Sequence, residues 1–258
     1  MNMNIYTRYY KQILTHGLKA KPRGKEVKFI KDVTYSYIPG YFPRRPHDNP
    51  AIGLMEGLQM IAGIFDHDAI ARVAPRAQLD LFTGQSAYGP RIEDQMLQRV
   101  VLELQNDPDS RRAIVMINHP EDTPTSEPCT TSIQFHVTRP GLVSSTACMR
   151  SSDAVWGLPY DIIQFGMITY AVARAFKYDA GDAGIQHGCP VASSVMIGNA
   201  HVYEATRLPK GDTFRTWRFI YPFQGKWETQ RKSALDCISL IDNAKDIMDL
   251  FQLQEVSA

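Results

Sequence analysis

Leu158 to Phe176 reads as a long apolar helix, interrupted by Asp161, Gln164 and Arg174. Those interruptions are too many for a membrane span, so the helix has to find apolar partners inside the protein. At 258 residues and 44% hydrophobic, the chain is long enough to build one sizeable core around it. A single domain over residues 1–258 is expected.

The remaining elements follow from periodicity and punctuation. Tyr6 to Leu18 reads as a helix, and Glu26 to Ile38 alternates like a half-buried strand. The prolines of Pro39 to Pro46 predict a loop. Ala51 to Phe65 carries Ile52, Met55, Leu58, Ala62 and Phe65 at helical spacing, with Asn49 as N-cap and Pro50 in the first turn. Ile92 to Gln105 is a second amphipathic helix. Ala113 to Asn118, Thr131 to Thr138 and Val143 to Met149 read as strands, the last two joined by a turn at Arg139-Pro140-Gly141. Ser193 to Tyr203 and Phe214 to Tyr221 are strands, and Ser233 to Phe251 is a closing helix. Helices and strands mix without a regular βαβ alternation, which predicts α+β rather than a doubly wound sheet.

A net charge of +1 leaves no chain-wide basic field, so neither nucleic acid nor an anionic membrane is an expected partner. Cys129, Cys148, Cys189 and Cys237 are scattered in a chain too large to need disulfide staples, and are read as reduced thiols. The N-terminal residues lack an apolar signal core, so the expected location is the cytoplasm. His187-Gly188-Cys189 would need further ligands to hold zinc, and no metal is expected.

The chemistry concentrates in two stretches, Glu127-Pro128-Cys129-Thr130-Thr131-Ser132-Ile133-Gln134 and Arg150-Ser151-Ser152-Asp153-Ala154-Val155-Trp156-Gly157-Leu158-Pro159-Tyr160-Asp161. Upstream stands the doubled arginine of Asp109-Ser110-Arg111-Arg112. A cysteine nucleophile needs its thiolate, and a free cysteine with a pKa of roughly 8.5 is mostly thiol at neutral pH, so nearby positive charge such as Arg150 is required. A compact dianion such as a nucleoside monophosphate is best held by several guanidinium forks.

Together these motifs resemble the thymidylate synthase family, most clearly from Tyr88 to Tyr203 and more loosely upstream to Arg23. The resemblance implies an α+β homodimer packed through a large sheet, acting on a pyrimidine nucleoside monophosphate with 5,10-methylenetetrahydrofolate as cosubstrate. It assigns Cys129 as the nucleophile at C6 of the base. Arg23, Arg111, Arg112, Arg150 and Ser151 become phosphate ligands, with Arg111 and Arg112 reaching into the partner's site. His201 and Tyr203 match the pair that bonds the sugar hydroxyl, and alternation puts both on one strand face. Gln134 orders the nucleotide, Asp153 holds the pterin, and Glu56 and Tyr88 organise water and proton transfer near the base.

Three departures from the synthase pattern bear on the reaction. Thr130 stands where synthases carry histidine after the nucleophile. No tryptophan occurs in Ala77 to Gly84, which leaves Phe82 to pack the folate ring. Asp161 replaces the asparagine that reads uracil, as in the related deoxycytidylate hydroxymethylases. A carboxylate accepts from the N4 amine of cytosine, whereas facing uracil O4 it opposes two acceptors, at about 1 to 3 kcal/mol for each buried group left unsatisfied. The expectation is hydroxymethylation of dCMP or CMP at C5. The alternative within the family is methylation of dUMP or a cytidylate with hydride from the folate. A Cys-His hydrolase built on Cys129 with His136 or His201 has no supporting acyl-enzyme motif, and a non-catalytic nucleotide-binding protein would have no use for Cys129.

Overall fold

The computed structural model describes residues 3–46, 48–92, 94–139, 142–179, 191–203 and 214–256. Its helices are α1 (Met3–His16), α2 (Pro50–Ala62), α3 (His67–Val73), α4 (Asp94–Asn106), α5 (Leu158–Asp179), α6 (Trp227–Leu240) and α7 (Ala244–Leu250). Its strands are β1 (Leu18–Ala20), β2 (Val27–Tyr37), β3 (Tyr41–Arg44), β4 (Ile114–Met116), β5 (Thr130–Arg139), β6 (Leu142–Met149), β7 (Ser152–Asp153), β8 (Val191–Tyr203), β9 (Arg215–Arg218) and β10 (Gln254–Glu255).

The apolar helix α5 lies against α2, and glycine permits the close approach. A Cβ at Gly57 would collide with Sδ of Met167, and one at Gly53 would sit 3.2 Å from Cδ1 of Ile163. Asn49 caps α2 by accepting the Ala51 N–H at 3.3 Å, with Pro50 beginning the first turn. Gly63, left-handed at φ 72°, ends α2 short of Phe65, where apolar spacing alone predicts it to continue. Phe165, Met167, Ile168 and Val172 of α5 are fully buried in one core that also contains Leu54, Met55 and Leu58 of α2 and Ile133, Phe135 and Ala147 of the sheet. Each such side chain contributes about 1.5 to 3 kcal/mol relative to exposure.

The large sheet has the order β1-β2-β8-β6-β5-β4, with β7 also beside β8. Its pairs are antiparallel except β6–β8 and β7–β8, which run parallel, so the sheet is mixed and the fold is α+β as expected. One face packs on α5. On the other, Thr34, Met196, Cys148, Ser132 and Met116 are in register across five strands, and Met196 and Met116 are each 49% exposed.

Two expectations need correction. The proline-rich stretch after Pro39 is not all loop, because Tyr41–Arg44 forms β3 of a small antiparallel sheet, β10-β9-β3. β3 is an edge strand, where Pro43 removes no hydrogen bond a second neighbour would need. The closing helix is two helices and begins earlier, at Trp227. The chain turns extended at Ile241, and Asn243 starts α7 with a capping box closed by Asp246. The turn at Arg139-Pro140-Gly141 reaches outside the described residues, as do His187 and Cys189.

Candidate active site

The N-terminal end of β5, the turn into β7 and the facing sides of α2 and α5 border a cleft of about 670 Å³. Arg23, Glu56, Phe82, Tyr88, Cys129, Arg150, Asp153, Asp161 and Tyr203, all singled out from sequence, line it. Between Thr130 and Ser132 the β5–β6 register slips by one residue, an irregularity beside Cys129. Cys129, just ahead of that slip, remains tied to β6 through its carbonyl, which accepts from Arg150 N–H at 2.9 Å.

Arg150 clamps the turn that presents the thiol. Its Nε donates to the Pro128 carbonyl at 3.0 Å and its Nη2 to the Glu127 carbonyl at 2.9 Å. The sequence predicts that Arg150 favours the thiolate. Arg150 and Arg23 do pull in that direction, but burial and the Asp161 carboxyl outweigh them and push the Cys129 thiol up. Cys129 is nonetheless open to solvent on its cleft side, and Cys129, Cys148 and Cys237 are all free thiols.

Two acids face the same space. Asp161 lies in the first turn of α5, where the helix N-terminus favours its anion. Burial and the neighbouring Asp153 overcome that preference and push its carboxyl up to about 7. Glu56, at the cleft edge of α2, is pushed up to about 8 by burial and by Asp161. Its Oε2 accepts from Gln164 Nε2 at 2.9 Å. Both acids therefore change protonation near neutral pH, as proton-transfer groups must.

Asp153 accepts the N–H groups of Val155 at 2.7 Å and Trp156 at 3.0 Å, which fixes the turn into α5. The short β7 sets Asp153 opposite His201 of β8. Burial lowers the His201 imidazole pKa, with Asp153 opposing, and burial likewise raises the Asp153 carboxyl. Ser151 Oγ lies 3.4 Å from His201 Nδ1, and the His201 and Tyr203 rings meet edge to face at 5.2 Å. Tyr203 reaches the cleft, while Ser151 and His201 stand beside it rather than in its lining.

Arg111, Arg112 and Gln134 are not brought into this cleft. Gln134 Nε2 donates to the Arg111 carbonyl at 3.0 Å, and Arg112, exposed, pairs with Glu103 at 2.9 Å. Gln134 is in register with Thr146 and Ile114, on the same open sheet face as Ser132 and Cys148. His136 is farther along β5, opposite Ser144.

Three contributors were not read from sequence. Thr130 donates to the Tyr88 hydroxyl at 2.9 Å, so it anchors a tyrosine of the cleft. Gln164 both lines the cleft and holds Glu56. Trp156 lines the cleft at 40% exposure, with the Arg45 guanidinium 4.6 Å from its ring and the buried Asp48 bonded to that arginine.

Among the described residues, no three His, Cys, Asp or Glu side chains are grouped to hold a metal ion, and no helix is long and apolar enough to cross a membrane. The family model described as thymidylate synthase matches residues 81–209, half of the chain. The matched span runs from ahead of Phe82 to beyond Tyr203, and so contains Cys129, the paired stretches and Asp161; Arg23 and Glu56 lie outside it. With a cysteine presented beside Arg150 in a cleft rich in titratable groups, and with that match, the chain belongs to the thymidylate synthase family, whose chemistry is folate-dependent one-carbon transfer to a pyrimidine nucleotide.

Proposed function

We propose that the protein is a pyrimidine nucleotide hydroxymethylase, transferring a one-carbon unit from 5,10-methylenetetrahydrofolate to C5 of dCMP or CMP and adding water to give the 5-hydroxymethyl nucleotide. The observation that carries this reading is Asp161, a carboxyl rather than an amide, buried at the cleft and held near neutrality. In its neutral form it donates to cytosine N3 while its carbonyl oxygen accepts from the N4 amine. That proton can pass to N3 as charge builds on the ring.

Cys129 adds through its thiolate to C6, and C5 becomes the nucleophile that takes the one-carbon unit. Transfer of the C5 proton to water and departure of tetrahydrofolate, its nitrogen taking up a proton, leave an exocyclic methylene on the nucleotide. Water then adds its oxygen to that methylene, the π pair returns to C5–C6, and the Cys129 thiolate leaves. Glu56, titrating at about 8, accepts the proton of that water. Arg150 and Arg23 bind the phosphate and, by their charge, favour the thiolate. Ser151 joins them at the phosphate, and Tyr203 with His201 holds the sugar. Asp153, with Phe82 on the cleft wall, receives the folate.

The protein acts as a homodimer in this reading. The open sheet face, with Met116 and Met196 exposed and Gln134 beside the Arg111 carbonyl, supports it. Packing that face on a second copy would carry Arg111 and Arg112 toward the partner's phosphate and bring Gln134 to the nucleotide.

Purified protein incubated with methylenetetrahydrofolate and each of CMP, dCMP, UMP and dUMP tests the assignment, with products weighed by mass spectrometry. A 5-hydroxymethyl cytidylate is the expected product. A 5-methyl product with accumulating dihydrofolate would establish the synthase-type alternative instead.

A further inference from the structure

Asp161 and Gln164, three residues apart, share one face of α5, and both reach the cleft. Gln164 is 3% exposed, so a long polar side chain has been fixed in the interior next to the two acids. Its Nε2 donates to Oε2 of Glu56 across the α2–α5 contact at 2.9 Å. When Glu56 is protonated, the oxygen that accepts this N–H serves as its carbonyl oxygen, which leaves the acid O–H on the other oxygen.

We propose that Gln164 is a positioning residue that keeps the exchangeable proton of Glu56 on Oε1, the oxygen left free of the amide, where it can be traded with water during the addition step. The inference rests on the hydroxymethylase reading. It names a residue for the step that separates that reaction from methylation. The choice of a neutral amide has a chemical reason. A lysine or arginine at this position would hold Glu56 as a fixed anion, whereas an amide donor orients the group and leaves both protonation states accessible. Asp161 and Tyr160 face Glu56 from α5 and Tyr88 faces it from the loop before α4, and none of them carries a positive charge. Glu56, pushed up to about 8, is thereby both oriented and able to cycle.

Two variants and two measurements test this. Gln164→Met keeps the length and volume of the side chain and removes the donor; Gln164→Glu replaces the donor with a second acid. With Gln164→Met, kcat for cytidylate should fall about 10- to 100-fold while KM changes less than about 3-fold, as for loss of orientation rather than of binding. In the ligand-free protein, the Glu56 carboxyl followed by carbon-13 NMR, assigned with Glu56→Gln, should titrate about half a pH unit or more higher, because the carboxylate has lost a donor. Gln164→Glu should displace that titration too, as the two acids share protons. Unchanged kcat with an unmoved titration would overturn the proposal, as would variants that alter only KM or melting temperature. A wild type that makes no 5-hydroxymethyl product would defeat the hydroxymethylase reading itself, and the NMR titration would still judge the placement of the proton.

Discussion

Thr130 and Tyr88, forty-two positions apart in the chain, meet through a 2.9 Å hydrogen bond in which the threonine hydroxyl donates to the phenol oxygen. Thr130 is fully buried, and burial and the nearby acids keep the tyrosine firmly protonated. The residue after Cys129 thus helps set where a cleft hydroxyl points. Thr130→Val should keep the shape, remove the donor, and cost about 1 to 2 kcal/mol of stability. It should also lower kcat with little change in nucleotide affinity. Denaturant unfolding and steady-state kinetics check the two halves separately, and a variant with wild-type kcat would remove Tyr88 anchoring from the mechanism.

Cys129→Ser should abolish turnover and leave cytidylate binding by calorimetry nearly intact. In the proposed mechanism the thiol supplies the covalent step, whereas Arg150 and its companions supply affinity. Substantial product from this variant would end the covalent mechanism.

Asp161→Asn should move base preference from cytosine toward uracil. A site built to hydrogen-bond its substrate can discriminate by up to about 10⁴-fold, because the wrong base leaves buried groups unpaired. The measurement is the ratio of kcat/KM for cytidylate and uridylate in wild type and variant. An unchanged ratio would show that Asp161 does not read the base.

The two raised acids should also appear in stability. Folded-state values of about 8 for Glu56 and about 7 for Asp161 lie above those of unfolded carboxyls, so the folded protein binds the extra protons. Their stabilising contribution is complete below pH of about 4 and is lost as pH rises through about 7 to 8. Glu56→Gln should therefore raise the melting temperature relative to wild type at pH 8.5, by about 2 °C or more, and the difference should shrink toward pH 5. A constant difference across that range would contradict the raised Glu56 value.

If Arg111 acts across a dimer interface, mixing inactive Arg111→Ala and Cys129→Ser proteins should restore part of the activity. Each mixed dimer would rebuild one complete site. No recovery, with subunit exchange confirmed by native mass spectrometry, would count against a shared site.

The sequence made the longer helices and the long strands of the large sheet legible because their signals are local, whereas the short α3, β1 and β7 gave none that was read. The apolar spacing of α2, the long apolar run of α5 and the period 2 of β6 each mark an element that forms, and Asn49 and Pro50 mark the start of α2 as anticipated. β3 was hidden because Pro43 advertises a loop unless the strand is known to be an edge. The break before α7 had a local signal, Asn243 followed three residues later by Asp246, that a continuous apolar pattern masks. At the site, motif order located Cys129, Arg150, Asp153 and Asp161. Thr130, Gln164 and Trp156 act through partners distant in sequence, at Tyr88, Glu56 and Arg45, and no spacing rule reports such pairs. The outcome of competition between burial and charge at Cys129 was likewise invisible before the enclosing groups were known.

The glycines of α2 have a consequence for how this protein tolerates change. Gly53 and Gly57 flank Glu56 on the helix, and each leaves the space that lets α2 lie close against α5 and its Gln164. Any side chain at Gly57 has to displace Met167 before the two backbones can return to their present separation. In a saturation library selected for activity, larger residues at Gly57 should thus survive mainly where Met167 has given way, although no ligand need touch either position. Compensating survivors should arise at Met167 rather than in the cleft.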